Sequence, residues 1–185
     1  MIKINQRFKY FIFCDNLNKE IKERIIKFKN INFVYYNEKK SYSVNQALEI
    51  KKYCKKNKIN FFIVDNYKLA IKIRSHGVYL SSLNKSKKFL NFFNNKFTVI
   101  GSAHNQIEYF HKKQQGCTSV IVSPLFYNKK YSENKILGPI KINLITKNWR
   151  TKIGALGGIL PTNYTKIKFL NNINILGFKS LINFL

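Results

Sequence analysis

Eight short apolar runs recur along the chain, on average roughly every 23 residues, and this repetition constrains the fold more than any other feature. They are "YFIF" (10–13), "INFVYY" (31–36), "NFFIV" (60–64), "GVYL" (77–80), "FTVIG" (97–101), "TSVIV" (118–122), "KIGAL" (152–156) and "NINIL" (172–176). Each is strand-sized and rich in β-branched or aromatic residues. Between them, apolar residues return at helical spacing: Ile21, Ile25 and Phe28; Val44, Ala47, Leu48 and Cys54; Leu69, Ala70 and Ile73; Tyr164, Ile167 and Leu170. Nearly continuous apolar strands alternating with helices predict a parallel sheet covered on its outer face. Eight units predict a compact single-domain α/β protein, a (β/α)8 TIM barrel over residues 1–185. A doubly wound open sheet is the alternative.

The formal net charge of +26 first suggests nucleic acid or an anionic membrane. Two details argue against that reading. Arginine occurs only at positions 7, 24, 74 and 150, so nearly all the positive charge is lysine. The lysines are also spread along the chain rather than gathered on one face or tail. No nucleic acid is expected as a partner; the field suits phosphorylated small molecules. Cys14, Cys54 and Cys117 have no metal-ligand spacing and predict reduced, packed thiols in a cytoplasmic protein. No run approaches the length of a membrane span, and the apolar run near the N-terminus is too short for a signal peptide.

In a barrel of this kind the chemistry gathers at the C-terminal ends of the strands. The two aspartates, Asp15 and Asp65, each fall just past a strand, where either could also cap the next helix. Gly157 and Gly158 follow the seventh run and Gly177 follows the eighth. Glycine turns before helix starts, with Pro161 in the first helical turn, predict a phosphate cradle of outward backbone N–H groups. Residues 123–139 form the longest irregular stretch and carry Lys129 and Lys130, which could meet an anion. His104 lies just beyond the fifth run, near the expected mouth; His76 and His111 read as ordinary surface or packing residues.

Six segments in register resemble the thiamine phosphate synthase family, which includes the TenI-like thiazole tautomerases. "YNEKK" stands where that family has a Gln-Leu-Arg-Glu-Lys-like motif. "FIVDNYKLA" resembles its Asn-Asp-Arg-x-x-Leu-Ala segment and "HGVYLSS" its Asp-Gly-Val-His-Leu-Gly-Gln. "IGSAHN" resembles Gly-x-Ser-x-His, "VSPLF" resembles Gly-Pro-Val-Phe, and "ALGGILPTN" resembles Ala-Ile-Gly-Gly-Ile-x-Pro-x-Asn. The resemblance implies that a pyrimidine diphosphate loses pyrophosphate and is captured by the nitrogen of a thiazole phosphate, with Mg2+ on the leaving diphosphate.

Matched residue by residue, the resemblance makes Asp65 the magnesium ligand, with Asn84 where the family has a second carboxylate. Lys39 and Ser102 would face the diphosphate, and Tyr35 and Asn37 stand at the motif's Gln and Arg. Lys129 or Lys130 would replace the lysine of a Thr-rich loop. Gly157, Gly158 and the backbone of Gly177, Phe178, Lys179 and Ser180 would hold the thiazole phosphate. The departures Asn37, Val64 and Asn84 feed two alternatives: a tautomerase with His104 as base, or a degenerate barrel that only binds a phosphorylated ligand. Oligomeric state is not readable from the sequence.

Overall fold

The computed structural model describes residues 8–26, 30–37, 41–87, 97–128 and 132–178. Lys39, Lys129, Lys130, Lys179 and Ser180 lie outside them. Eight strands are present: β1 (Lys9–Cys14), β2 (Ile31–Tyr35), β3 (Asn60–Val64), β4 (Gly77–Leu80), β5 (Thr98–Ala103), β6 (Ser119–Val122), β7 (Lys152–Leu156) and β8 (Ile173–Phe178). They pair in parallel, in chain order, and close when β8 meets β1 at Lys9↔Ile175. The protein is a (β/α)8 barrel.

Among the described residues the covering helices are short: α1 (Lys19–Ile26), α2 (Val44–Lys56), α3 (Tyr67–Lys72), α4 (Gln106–Gln114) and α5 (Gly138–Thr146). Amide and hydroxyl side chains start them. Asn18 accepts from the Ile21 amide at 2.8 Å, Ser43 from Gln46 at 3.3 Å, Asn66 from Leu69 at 3.0 Å and Asn105 from Glu108 at 2.9 Å. Each satisfies an N–H that the first helical turn leaves over. Neither aspartate is needed as a cap, because Asn18 and Asn66 fill those positions.

Two apolar clusters follow from the closure. One joins strand residues such as Ile12, Phe33, Tyr35, Ile63 and Val120 to helix residues such as Ile25, Ala47, Ile50, Leu69 and Ile142. The other contains strand residues alone: Phe11, Phe13, Val34, Phe62, Val64, Tyr79, Ile100, Ile121, Leu156 and Ile175. The first is the layer between sheet and helices, and the second is the barrel interior. Alternate residues of each strand divide between them. The interior is a packed core, with Phe13 edge-on to Tyr79 at 4.9 Å, so a ligand of the barrel would sit at its mouth rather than inside it. In the outer layer Trp149 stacks on Tyr109 at 4.1 Å, and its indole N–H donates to Gln106 Oε1 at 2.6 Å.

Several sequence expectations shift. On α2 the buried positions are Ala47, Ile50 and Cys54, while Val44 and Leu48 face solvent. The Tyr164–Ile167–Leu170 spacing belongs to a 3-10 helix, Pro161–Phe169, rather than an α-helix. α5 begins inside the stretch expected to be irregular, after a 3-10 turn at Glu133–Lys135. Gly177 lies within β8, not beyond it. All three cysteines are free thiols, with Cys54 and Cys117 buried and Cys14 half-buried. Burial pushes each of these thiols up to about 12.

Candidate active site

Because all eight strands are parallel, Cys14, Tyr35, Val64, Leu80, Ala103, Val122, Leu156 and Phe178 end on one rim. Asp65 sits there, one residue past β3. Its amide donates to Tyr79 O at 2.8 Å, extending the β3–β4 ladder, and its φ of 53° lies in the left-handed region. Aspartate tolerates that region better than most residues, at a cost of ~1 kcal/mol or more. The conformation is held by hydrogen bonds. Asp65 Oδ1 accepts from the Ser81 amide at 2.9 Å and from Asn84 Nδ2 at 2.9 Å.

The orientation of Asn84 is fixed by its other end. Its Oδ1 accepts from the Ser86 amide at 3.0 Å, so flipping the amide would set two donors face to face. Asn84 therefore gives Asp65 a proton donor, and its carbonyl oxygen turns away from the expected metal position. Among the described residues no group of three His, Cys, Asp or Glu side chains could hold a metal. Both bonds to Asp65 fall on Oδ1, which leaves Oδ2 for a cation. The donor set fits a magnesium ion that arrives on substrate oxygens and takes one carboxylate oxygen from the protein. It does not fit a cage built from protein alone.

His104 begins the turn after β5. Its amide donates to Glu108 Oε2 at 2.7 Å, and its Nδ1 meets the carbonyl oxygen of Ser123, with Ser123 Oγ at 3.4 Å. The ring is thus anchored to the end of β6. Ser102 is buried and shares the inward face of β5 with Ile100, so its hydroxyl belongs to the barrel interior.

Tyr35 goes the other way. It is fully buried in the outer layer, and its hydroxyl donates to Gln46 Oε1 of α2 at 2.7 Å. Its neighbours Val34 and Tyr36 are the ones that pack toward the interior. Asn37 is half-buried two residues beyond β2. Phe178 also faces outward, stacked on Tyr10 at 6.0 Å, which leaves only its backbone for a ligand.

The glycines after β7 serve the chain itself. Gly157 and Gly158 have φ of 100° and 67°. A Cβ on Gly158 would lie 2.3 Å from Phe126 O and 2.4 Å from Tyr127 O. The segment after β6 crosses here, with the Phe126 amide donating to Gly157 O at 2.9 Å. The turn is closed by Asn163, which donates to Gly158 O at 2.7 Å and accepts from the Leu160 amide at 2.9 Å. Gly177 keeps room inside the barrel, where a Cβ would meet Leu156 Cδ1 at 2.8 Å. Close approach is thus the reason for glycine at all three positions, and the approaching group at each is protein.

Sequence reasoning passed over Tyr42, Ser81, Lys112, Gln115 and Ser123. Tyr42 packs against both clusters at the rim and lies edge-on to Tyr35 at 5.1 Å. Among the described residues its hydroxyl is buried and makes no well-formed hydrogen bond, although the Asn37 backbone lies close enough to act on it. Burial pushes it up to about 12; the Asn37 backbone opposes the rise, and Asp65, Tyr35 and Tyr36 add to it.

The family model for thiamine monophosphate synthase matches residues 10–174. The chain belongs to the thiamine monophosphate synthase family. It is 30% identical to the thiamine-phosphate synthase of Pelagibacter ubique, over 97% of this chain and 90% of that protein. It is 27% identical to the thiamine-phosphate synthase of Prochlorococcus marinus over 68% of this chain, which is 36% of that longer protein. Thiamine phosphate pyrophosphorylase from Pyrococcus furiosus superposes with a TM-score of 0.72 at 16% identity, over 96% of this chain and 89% of that one. At that identity the superposition establishes the barrel, and the family match identifies the synthase.

Proposed function

We propose that this thiamine-phosphate synthase joins 4-amino-5-hydroxymethyl-2-methylpyrimidine diphosphate to thiazole phosphate at the mouth of the barrel, and that it needs magnesium to do so. The observation that carries the reading is Asp65, an aspartate held in a left-handed backbone at the rim by Ser81 and Asn84. The C–O bond to the pyrimidine methylene breaks and its electron pair leaves with pyrophosphate. The lone pair of the thiazole nitrogen then forms the new C–N bond. Magnesium on the diphosphate would neutralise charge as the leaving group departs.

The chain's own residues bind and orient. Asp65 Oδ2 would take the cation side of the diphosphate and Lys39 its oxygens, with Ser102 facing them from the top of the barrel interior. Lys129 or Lys130 would stand in for the lysine of the family's loop, and the backbone at Gly157 and Gly158 and from Gly177 to Ser180 would receive the thiazole phosphate. The packed aromatic interior beneath them gives the mouth a dry floor, so water could approach a cationic intermediate only from above. Mass spectrometry of the purified protein with both substrates, with and without magnesium, tests the reading. Thiamine phosphate should form only with metal, and its absence at every magnesium level rejects the synthase.

One observation favours a second reading. His104 is positioned by Ser123 with no metal involved, as a base for moving a proton on thiazole phosphate would need. Isomerisation of thiazole phosphate that disappears in His104→Gln, without thiamine phosphate formation, would establish the tautomerase instead.

A further inference from the structure

Two polar side chains lie deep in the outer layer beneath the Asp65 site. Lys112 on α4 is 0% exposed, and Gln115, just after that helix, is 1% exposed. Burying an ammonium costs several kcal/mol unless its protons are all used. Here they are. Lys112 Nζ donates to Ser81 O at 2.6 Å, Asn84 O at 2.6 Å and Gln115 Oε1 at 2.9 Å. Gln115 Nε2 donates to Asn84 O at 2.9 Å and Ser86 O at 2.8 Å. Strand β5 is built around the lysine stem: a Cβ on Gly101 would stand 2.7 Å from Lys112 Cδ and 2.9 Å from its Cγ. Among the described residues Lys112 has no ion-pair partner.

The loop between them has two faces. The carbonyls of Ser81, Asn84 and Ser86 point down to Lys112 and Gln115. The Ser81 amide and the Asn84 side chain point up to Asp65. We propose that Lys112 and Gln115 are positioning residues for the diphosphate side of the reaction. They touch no substrate, yet they fix the shape of residues 81–86 and so the aim of Asp65. The proposal rests on the synthase reading, in which Asp65 receives the magnesium-borne diphosphate.

The test is the double variant Lys112→Met with Gln115→Leu, which keeps the stems and removes the tether. The variant takes the donors from the Ser81, Asn84 and Ser86 carbonyls, which costs stability, so circular dichroism and urea unfolding establish that it is folded before binding is measured. Calorimetry with magnesium pyrophosphate should show affinity weaker by about tenfold or more. The KM of the pyrimidine diphosphate should rise by a similar factor, while that of thiazole phosphate stays within about twofold. A folded variant with unchanged pyrophosphate affinity overturns the proposal, as does equal weakening of both substrates. Should the double variant not fold, Gln115→Met alone should shift pyrophosphate affinity by about threefold, and no shift overturns the proposal. Wild type that neither binds magnesium pyrophosphate nor forms thiamine phosphate rejects the synthase reading together with the proposal. Active wild type beside an unaffected variant rejects the proposal alone.

Discussion

Asn84 offers Asp65 its amide nitrogen, with Nδ2 2.9 Å from Oδ1, where a second metal-binding carboxylate would repel it. A hydrogen-bond donor therefore stands where a second negative charge would, and Asp65 has a neutral neighbour. Asn84→Asp reverses this. Two carboxylates at that distance should lower the melting temperature in a chelator and restore it in magnesium. The half-saturating magnesium concentration should fall. Thermal unfolding with and without metal checks both, and a variant indifferent to magnesium would contradict the placement of the cation.

Asp65→Asn keeps an oxygen for Ser81 and Asn84 and suits the left-handed backbone, so it removes charge with little else. Thiamine phosphate formation should drop by more than about a hundredfold, with thiazole phosphate binding nearly unchanged. Steady-state kinetics and calorimetry on the same preparation separate the two. Full activity would reduce Asp65 to a structural residue.

Gly158→Ala should damage the fold. The new methyl would collide with the Phe126 and Tyr127 carbonyls, at a φ that alanine resists. A loss of about 2 kcal/mol or more is expected in urea unfolding. A small loss would mean that the segment after β6 is free to move aside.

Tyr42→Phe should behave oppositely. Among the described residues its hydroxyl is buried with no well-formed hydrogen bond, and only the Asn37 backbone acts on it, so removal should leave stability unchanged or raise it by up to about 1 kcal/mol. A clear fall in melting temperature would reveal a partner for that hydroxyl.

Alkaline pH should destabilise the protein. The thiols of Cys14, Cys54 and Cys117 rise from 9.0 to about 12 because burial disfavours thiolate. Between those values the folded state holds protons that the unfolded chain has released. This stabilisation is complete below pH 9 and lost as pH climbs toward 12. Tyr42 acts in the same direction from 10.0. Burial lowers Lys112 from 10.5, against opposing pulls from Cys117, Asp65 and Glu108, and its contribution runs the other way. Four groups outweigh one, so urea midpoints measured under reducing conditions should decline from pH 8 to pH 11.

The barrel was legible because its repeat is dictated by burial: strands covered on both sides must be apolar throughout. That same uniformity hid which way Tyr35 points. In "INFVYY" nearly every residue is apolar, so no alternation marks inward from outward, and the ring lies in the outer layer. Asp65 stood out because aspartate is rare in this chain and the residue follows a strand. Lys112 and Gln115 did not, because "HKKQQ" is polar throughout and only the packing reveals that two of its members turn inward. The glycine pair after β7 announced a close approach and was read as room for a phosphate, whereas the nearest groups are carbonyls of the segment after β6, which a sequence does not place.

The stack of Trp149 on Tyr109 settles what light can report. The chain has one tryptophan, placed between α4 and the start of β7, on the side of the sheet away from the barrel interior. Its emission will follow the docking of that helix against the barrel, and ligands arriving at the opposite rim will pass unseen. A fluorophore for the mouth must be introduced, and Tyr42→Trp at the rim would supply one.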